Sequence, residues 1–271
     1  MMTRRLVTAG ALIGLLGPGA CVKPASRAPK ADGTEIKVMI SGGLTAAYLE
    51  LGPRFEAETG HRLVTSFGPS MGTAPDAIPV RLERGEPADA LIMVGYALEW
   101  LVDEGKVERE STVDLARSKI GMVVQNGAEL PDISTVDAFV QVLLEAESIA
   151  YSDSASGRYV SGELFERLGI ADQVTPKSRE IVSERVGKVV ARGEAELGFQ
   201  QVSELLPIEG VQFVGEIPAE VQKITVFSAG IPLGAHNADA GRALIDFMAS
   251  AEVTDAIERS GLEPIAAEGV R

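Results

Sequence analysis

Three times between residues 35 and 105 a short apolar run gives way to a Gly- or Ser-rich turn and then to a helical pattern. In residues 35–40 Ile36, Val38 and Ile40 alternate as in a strand; Ser41-Gly42-Gly43 follows, and Leu44, Tyr48, Leu51 and Phe55 then fall on one helical face. Pro53 predicts a kink or restart of that helix, because it has no amide hydrogen to give the preceding turn. Gly60 predicts its end. Residues 62–67 read as a second strand, with a loop over 68–73 and a short helix to about residue 84. Residues 88–94 read as a third strand, ending at Gly95-Tyr96 before a helix over 97–104. Strand, small turn and helix in repetition build a parallel sheet, since parallel neighbours need a crossover and a helix supplies it.

A second set follows. Residues 118–125 read as one strand, and Ser134 with Asp137 as a capping box for a helix over 135–146. Further strands are expected over 149–151, 196–200 and 211–214, helices over 159–168 and 186–192, and a polar loop over 152–157. A return strand over 221–229 and helices over 238–250 and 253–260 close the pattern, and Trp100 is read as core. The layout predicts an α/β fold of two lobes with a ligand cleft between them. Residues 32–120 with 228–271 form a discontinuous first lobe, and residues 121–227 an inserted second one. The crossing segments lie near 118–126 and 221–230. Ligands of open α/β sheets bind beyond the carboxyl ends of strands. Here those ends carry Ser41-Gly42-Gly43, Gly68-Pro69-Ser70-Met71, Gly95-Tyr96, the 152–157 loop and Gln200-Gln201.

Composition narrows the function. The chain has one Cys and two His, which excludes a Cys/His zinc site and a disulfide framework. Arg4-Arg5, an apolar run over 6–16 and small residues before Cys21 read as an export signal over 1–31, with Cys21 placed as in a lipoprotein and Thr3-Arg4-Arg5-Leu6-Val7 weakly resembling a twin-arginine signal. Pro18 fits a lipoprotein signal poorly. Residues 1–31 hold five of the 25 basic residues and none of the 39 acids, so the remainder carries 20 against 39, a net charge of -19. Such a chain repels polyanions at long range and has no nucleic-acid surface. A periplasmic, metal-free monomer is expected, in which local dipoles and hydrogen bonds meet any small anionic ligand.

The helix ending Phe55-Glu56-Ala57-Glu58-Thr59-Gly60, the stretch Ser66-Phe67-Gly68-Pro69-Ser70 and the turn Gly85-Glu86-Pro87-Ala88-Asp89-Ala90 resemble the type 2 periplasmic-binding fold of the molybdate-binding kind. Where that family carries a Gly-Ser-Ser-Gly-type turn, this chain has Gly68-Pro69-Ser70-Met71-Gly72, and its second-lobe loop lacks the family's Asp-Pro. A methionine and extra polar groups imply a larger, organic ligand. The same turn, with Ile92-Met93-Val94-Gly95-Tyr96-Ala97-Leu98, the 151–157 loop and Gly198-Phe199-Gln200-Gln201, is similar to the aconitate isomerases, exported enzymes on this fold. That resemblance implies interconversion of trans- and cis-aconitate by allylic proton transfer, with no cofactor and no metal. The alternative is a solute-binding protein that hands a small carboxylate or molybdate-like oxyanion to an ABC permease.

Candidate residues follow, each with a plainer role beside it. Ser41, Ser70, Ser154 and Ser156 are read as donors to ligand oxygens or as helix caps. Gly42, Gly43, Gly95, Ala155 and Gly157 let backbone approach a ligand, and Met71 lines the cleft. Arg81 and Arg158 clamp a carboxylate or sit in solvent. Gln200 or Gln201 faces the cleft, and Tyr96 and Tyr159 line it or pack. The candidate base is Asp153, Tyr96 or another cleft acid or hydroxyl; the plainer role of Asp153 is an Asx turn or a helix cap. His61 and His236 are read as structural.

Overall fold

The computed structural model describes residues 33–265; the signal segment and Cys21 lie outside the described residues. Strands β1 (Glu35–Ile40), β2 (Arg62–Phe67), β3 (Ala90–Val94) and β4 (Val113–Ser118) join two late strands in one six-stranded sheet. Strands β5 (Ile120–Gln125), β6 (Ile149–Ser152), β7 (Ser178–Ile181), β8 (Leu197–Gln201) and β9 (Val211–Glu216) make a second sheet. The late strands are β10 (Thr225–Gly230) and β11 (Glu263–Pro264). The order is β11-β4-β10-β3-β1-β2 in the first sheet and β7-β6-β8-β5-β9 in the second. As expected from the strand–helix repeats, β1 pairs β2 and β3 in parallel; in the second sheet β6 pairs in parallel with β8 and with β7, a strand the sequence did not announce.

Each sheet is centred on strands with no polar face. Every residue of β3 is buried, as befits a strand covered on both sides. The helices Thr45–Thr59, Gly95–Asp103 and Ala238–Met248 seal the first sheet through Leu51, Phe55, Leu98, Leu101, Leu244 and Ile245. In β5 the period of two sends Met122 and Val124 into one apolar cluster with Phe139 and Phe199, and Val123 into another with Val186 and Val190. The second sheet is therefore covered on both faces as well.

Several elements depart from the expectation. The run over 118–125 is two strands, β4 and β5, parted at Lys119, because each pairs in a different sheet. The return strand starts at Thr225, since Ala219–Val221 form a 3-10 turn. From just beyond that turn Gln222 accepts a hydrogen bond from Ile120 N at 2.8 Å and donates to Ile120 O at 3.0 Å, tying the two crossings together. The helix over 45–59 runs unbroken through Pro53, which points to solvent. Thr135, not Ser134, caps the helix Val136–Glu145, its hydroxyl accepting from Ala138 N. Trp100 is 46% exposed beneath the Lys106 ammonium and is not core. His61 is structural, stacked on Phe55 with Nδ1 accepting from Thr34 N.

Candidate functional site

A cavity of about 400 Å³ opens between the two sheets, at the carboxyl ends of β1, β2, β3, β6 and β8. That volume suits a small organic ligand. Of the residues singled out in the sequence, the cavity wall holds Ser41, Gly42, Gly43, Ser70, Met71, Asp153, Ser154, Ala155, Gln200 and Gln201. Both sheets contribute, so the strand ends do converge.

The hydroxyls are not spent on helix caps. Neither Ser41 nor Ser154 makes a side-chain cap bond, although each precedes a helical turn. Ser41 Oγ is buried without any partner, and so is Oε1 of Gln201, whose Nε2 bonds Thr225 Oγ1 at 3.1 Å. A buried polar atom left unpaired costs about 1–3 kcal/mol, a cost that a hydrogen bond from a ligand would remove. Ser70 Oγ accepts from Val94 N at 2.9 Å, which leaves its own proton to donate. Ser154 Oγ lies 2.7 Å from Ser152 Oγ.

The remaining candidates lie elsewhere. Ser156 is fully buried behind the wall, bonded to Ser152 Oγ at 3.1 Å. Gly157 faces Ser152 so closely that a Cβ there would overlap the Ser152 carbonyl; it seats the helix on β6 and touches no cavity. Tyr159 is turned away, its hydroxyl donating to Val221 O at 2.7 Å. Arg81 is held by Glu86 and the Asp76 carbonyl outside the cavity. Gly95 and Tyr96 line a separate depression, and Tyr96 is 59% exposed with its hydroxyl 3.6 Å from Met71 Sδ. Arg158 is also absent from the wall; its guanidinium reaches the margin near Gly72.

The wall also contains residues that the sequence reading did not single out. Arg185 is its one guanidinium, against the carboxylates of Asp76, Asp153, Glu184 and Glu204. Glu184 is neutralised by Arg192 at 2.8 Å. Arg185 Nη1 stands 3.5 Å from Glu204 Oε1, too long for a tight ion pair. Burial pushes the Glu204 carboxyl up to about 7, opposed by Arg185 and reinforced by Asp153. Burial also raises Asp153, with Glu180 and Asp76 adding like charge. Beside Arg185, Ser183 has φ of 58°, a left-handed backbone that a non-glycine residue adopts at a cost of order 1–3 kcal/mol. Arg185 and Ser183 follow the polar edge strand β7, whose sequence carries no apolar alternation to announce it. Among the described residues no cluster of His, Cys, Asp or Glu is arranged to hold a metal ion.

The family model for bacterial extracellular solute-binding proteins matches residues 36–263. An aconitate isomerase from a Pseudomonas species is 48% identical over 235 residues, 87% of this chain and 90% of that protein. The molybdate-binding protein ModA of Azotobacter vinelandii is 26% identical over 250 residues, covering 85% of this chain and 90% of its own. The solved periplasmic molybdate-binding protein of Azotobacter vinelandii superposes with a TM-score of 0.67 at 20% identity, over 84% of this chain and 98% of its own. That superposition establishes the shared two-lobed fold.

Proposed function

The chain belongs to the family of bacterial extracellular solute-binding proteins, whose members bind small ligands, and within it we propose an enzyme that interconverts trans- and cis-aconitate. One observation carries this reading: the likeness to the Pseudomonas aconitate isomerase extends over both lobes and the seam between them. The cavity fits such a ligand. Arg185 and the hydroxyls of Ser41, Ser70 and Ser154 are the groups we assign to its carboxylates, with Gln201 completing the wall. The wall is acidic overall, so one guanidinium and fixed neutral donors meet the ligand charge.

The chemistry is a proton shift. Removing a proton from the methylene carbon leaves an electron pair that spreads through the allylic system into the carboxylate oxygens. Donors already aimed at those oxygens stabilise that charge without reorganising. Return of a proton to the former vinylic carbon completes the isomerisation, and no electrons enter or leave. We place the protein in the periplasm, with Cys21 as the point of lipid attachment if the signal is of the lipoprotein kind.

Chelator-treated protein mixed with trans-aconitate should yield cis-aconitate without added metal or nucleotide. Tight binding without product would instead support the second reading, favoured by the family itself: a binding protein that delivers a carboxylate or oxyanion to an ABC permease.

A further inference from the structure

Proton transfer to and from carbon needs a group that touches the ligand, is shielded from water and exists in both protonation states near neutral pH. Glu204 meets the geometric conditions. It sits on the turn of helix Val202–Leu205 that follows β8, is 7% exposed and lines the cavity. Its carboxyl crosses the seam between the lobes: a Cβ added at Gly42 would overlap Glu204 Oε1. The neighbouring Ser203 hydroxyl donates to Gly43 O at 2.6 Å and fixes the helix there. Arg185 meets the carboxyl through Nη1 alone and at 3.5 Å, a long contact that leaves its other donors for a ligand carboxylate. Gln200, in the same wall, is fixed by accepting from Val186 N at 2.9 Å.

Resting on the isomerase reading, we infer that Glu204 is the catalytic residue that carries the proton between the two allylic carbons. The Glu204 carboxylate takes a proton from the methylene carbon, and the C–H electron pair becomes the new double bond as the old one shifts. The resulting carboxylic acid then gives the same proton to the former vinylic carbon and is a carboxylate again. No oxidant, reductant or second substrate is required. The raised affinity of the buried carboxyl for protons, about 7, suits it to both halves of the step. Asp153 lies in the same wall but is less deeply buried than Glu204, which suits positioning better than shielded transfer. Tyr96 is outside the cavity.

The test compares wild type, Glu204→Gln and Asp153→Asn for affinity by calorimetry and for turnover by NMR, with thermal melts to confirm folding. Glu204→Gln should lose about 10²–10⁴-fold in kcat while the Kd for trans-aconitate stays within a few-fold; Asp153→Asn should lose far less turnover. Glu204→Gln that keeps its turnover, or that loses binding as much as turnover, overturns the assignment while the isomerase reading stands. Wild type that binds but never converts overturns that reading and this assignment with it. A measurement on wild type alone guards against a misfolded variant. With trans-aconitate deuterated at the methylene carbon, in ordinary water, part of the label should reappear on the opposite allylic carbon of the product. Product with no deuterium on that carbon, the abstracted deuteron having gone wholly to solvent while its partner stays on the new vinylic carbon, overturns transfer by a single shielded group.

Discussion

Arg185 is the one guanidinium in the cavity wall, and among the described residues its side chain is held only by a long contact to Glu204. Replacing it by glutamine should weaken trans-aconitate binding about tenfold or more, since a charge-assisted hydrogen bond contributes roughly 1.5–3 kcal/mol. Calorimetric titration reads this directly. Glu204 makes a second prediction, about stability. Its carboxyl is raised from 4.5 to about 7 on folding, so the native state holds a proton that the unfolded chain releases. Its contribution to stability is complete below about pH 4.5 and is lost as pH rises toward 7. Glu204→Gln should therefore match wild type near pH 4.5 and exceed it above pH 7, by roughly 3 kcal/mol at full effect. Melting curves of both proteins across that range check it; a gap that widens toward acid pH would contradict the burial argument.

The loop-to-helix joint after β6 shows how an element positions the site. Gly157 lies against the Ser152 backbone, and this contact keeps the Ser154 and Ser156 hydroxyls each within hydrogen-bonding reach of Ser152. Gly157→Ala should push the helix off the strand end and cost about 1–3 kcal/mol, read as a lower urea midpoint with an unchanged slope. Ligand affinity should fall with it. At this scale the sequence was informative where a short apolar or β-rich run ended in a Gly- or Ser-rich turn. Strands β1, β2 and β3 and their following turns stand where the pattern put them. It was silent where that pattern failed. The sequence of β4 carries Asp114 and Arg117, and β7 is a four-residue edge strand with two exposed members, so neither looked like a strand. Serines at strand ends were legible as cavity residues because a small polar side chain there has few other uses. Glu204 was not: in Val202-Ser203-Glu204-Leu205 it reads as the wet face of a short helix. Its burial comes from Gly42 in the other lobe, a contact of long range that no local pattern encodes.

At the scale of the molecule, the two sheets meet along a seam that carries both the crossing segments and the cavity wall. Gln222 ties the crossings to each other, and Lys119 between β4 and β5 bonds Glu216 in the second sheet and Glu263 in the first. Glu204 and Ser203 of the second lobe press on Gly42 and Gly43 of the first close by. A binding protein on this fold closes its lobes to retain a ligand; the same closure over a buried carboxyl would exclude water from a proton transfer. The two activities differ in one countable quantity. A binding protein changes the aconitate pool by no more than the number of its own sites, whereas an enzyme acts repeatedly. Chelator-treated protein is mixed with a large molar excess of trans-aconitate, and separately of cis-aconitate, and both mixtures are followed by proton NMR. The account predicts that the two converge on one and the same ratio of isomers, far beyond one equivalent per protein. Two pools that stay as they began, with ligand bound at the cavity, would contradict it.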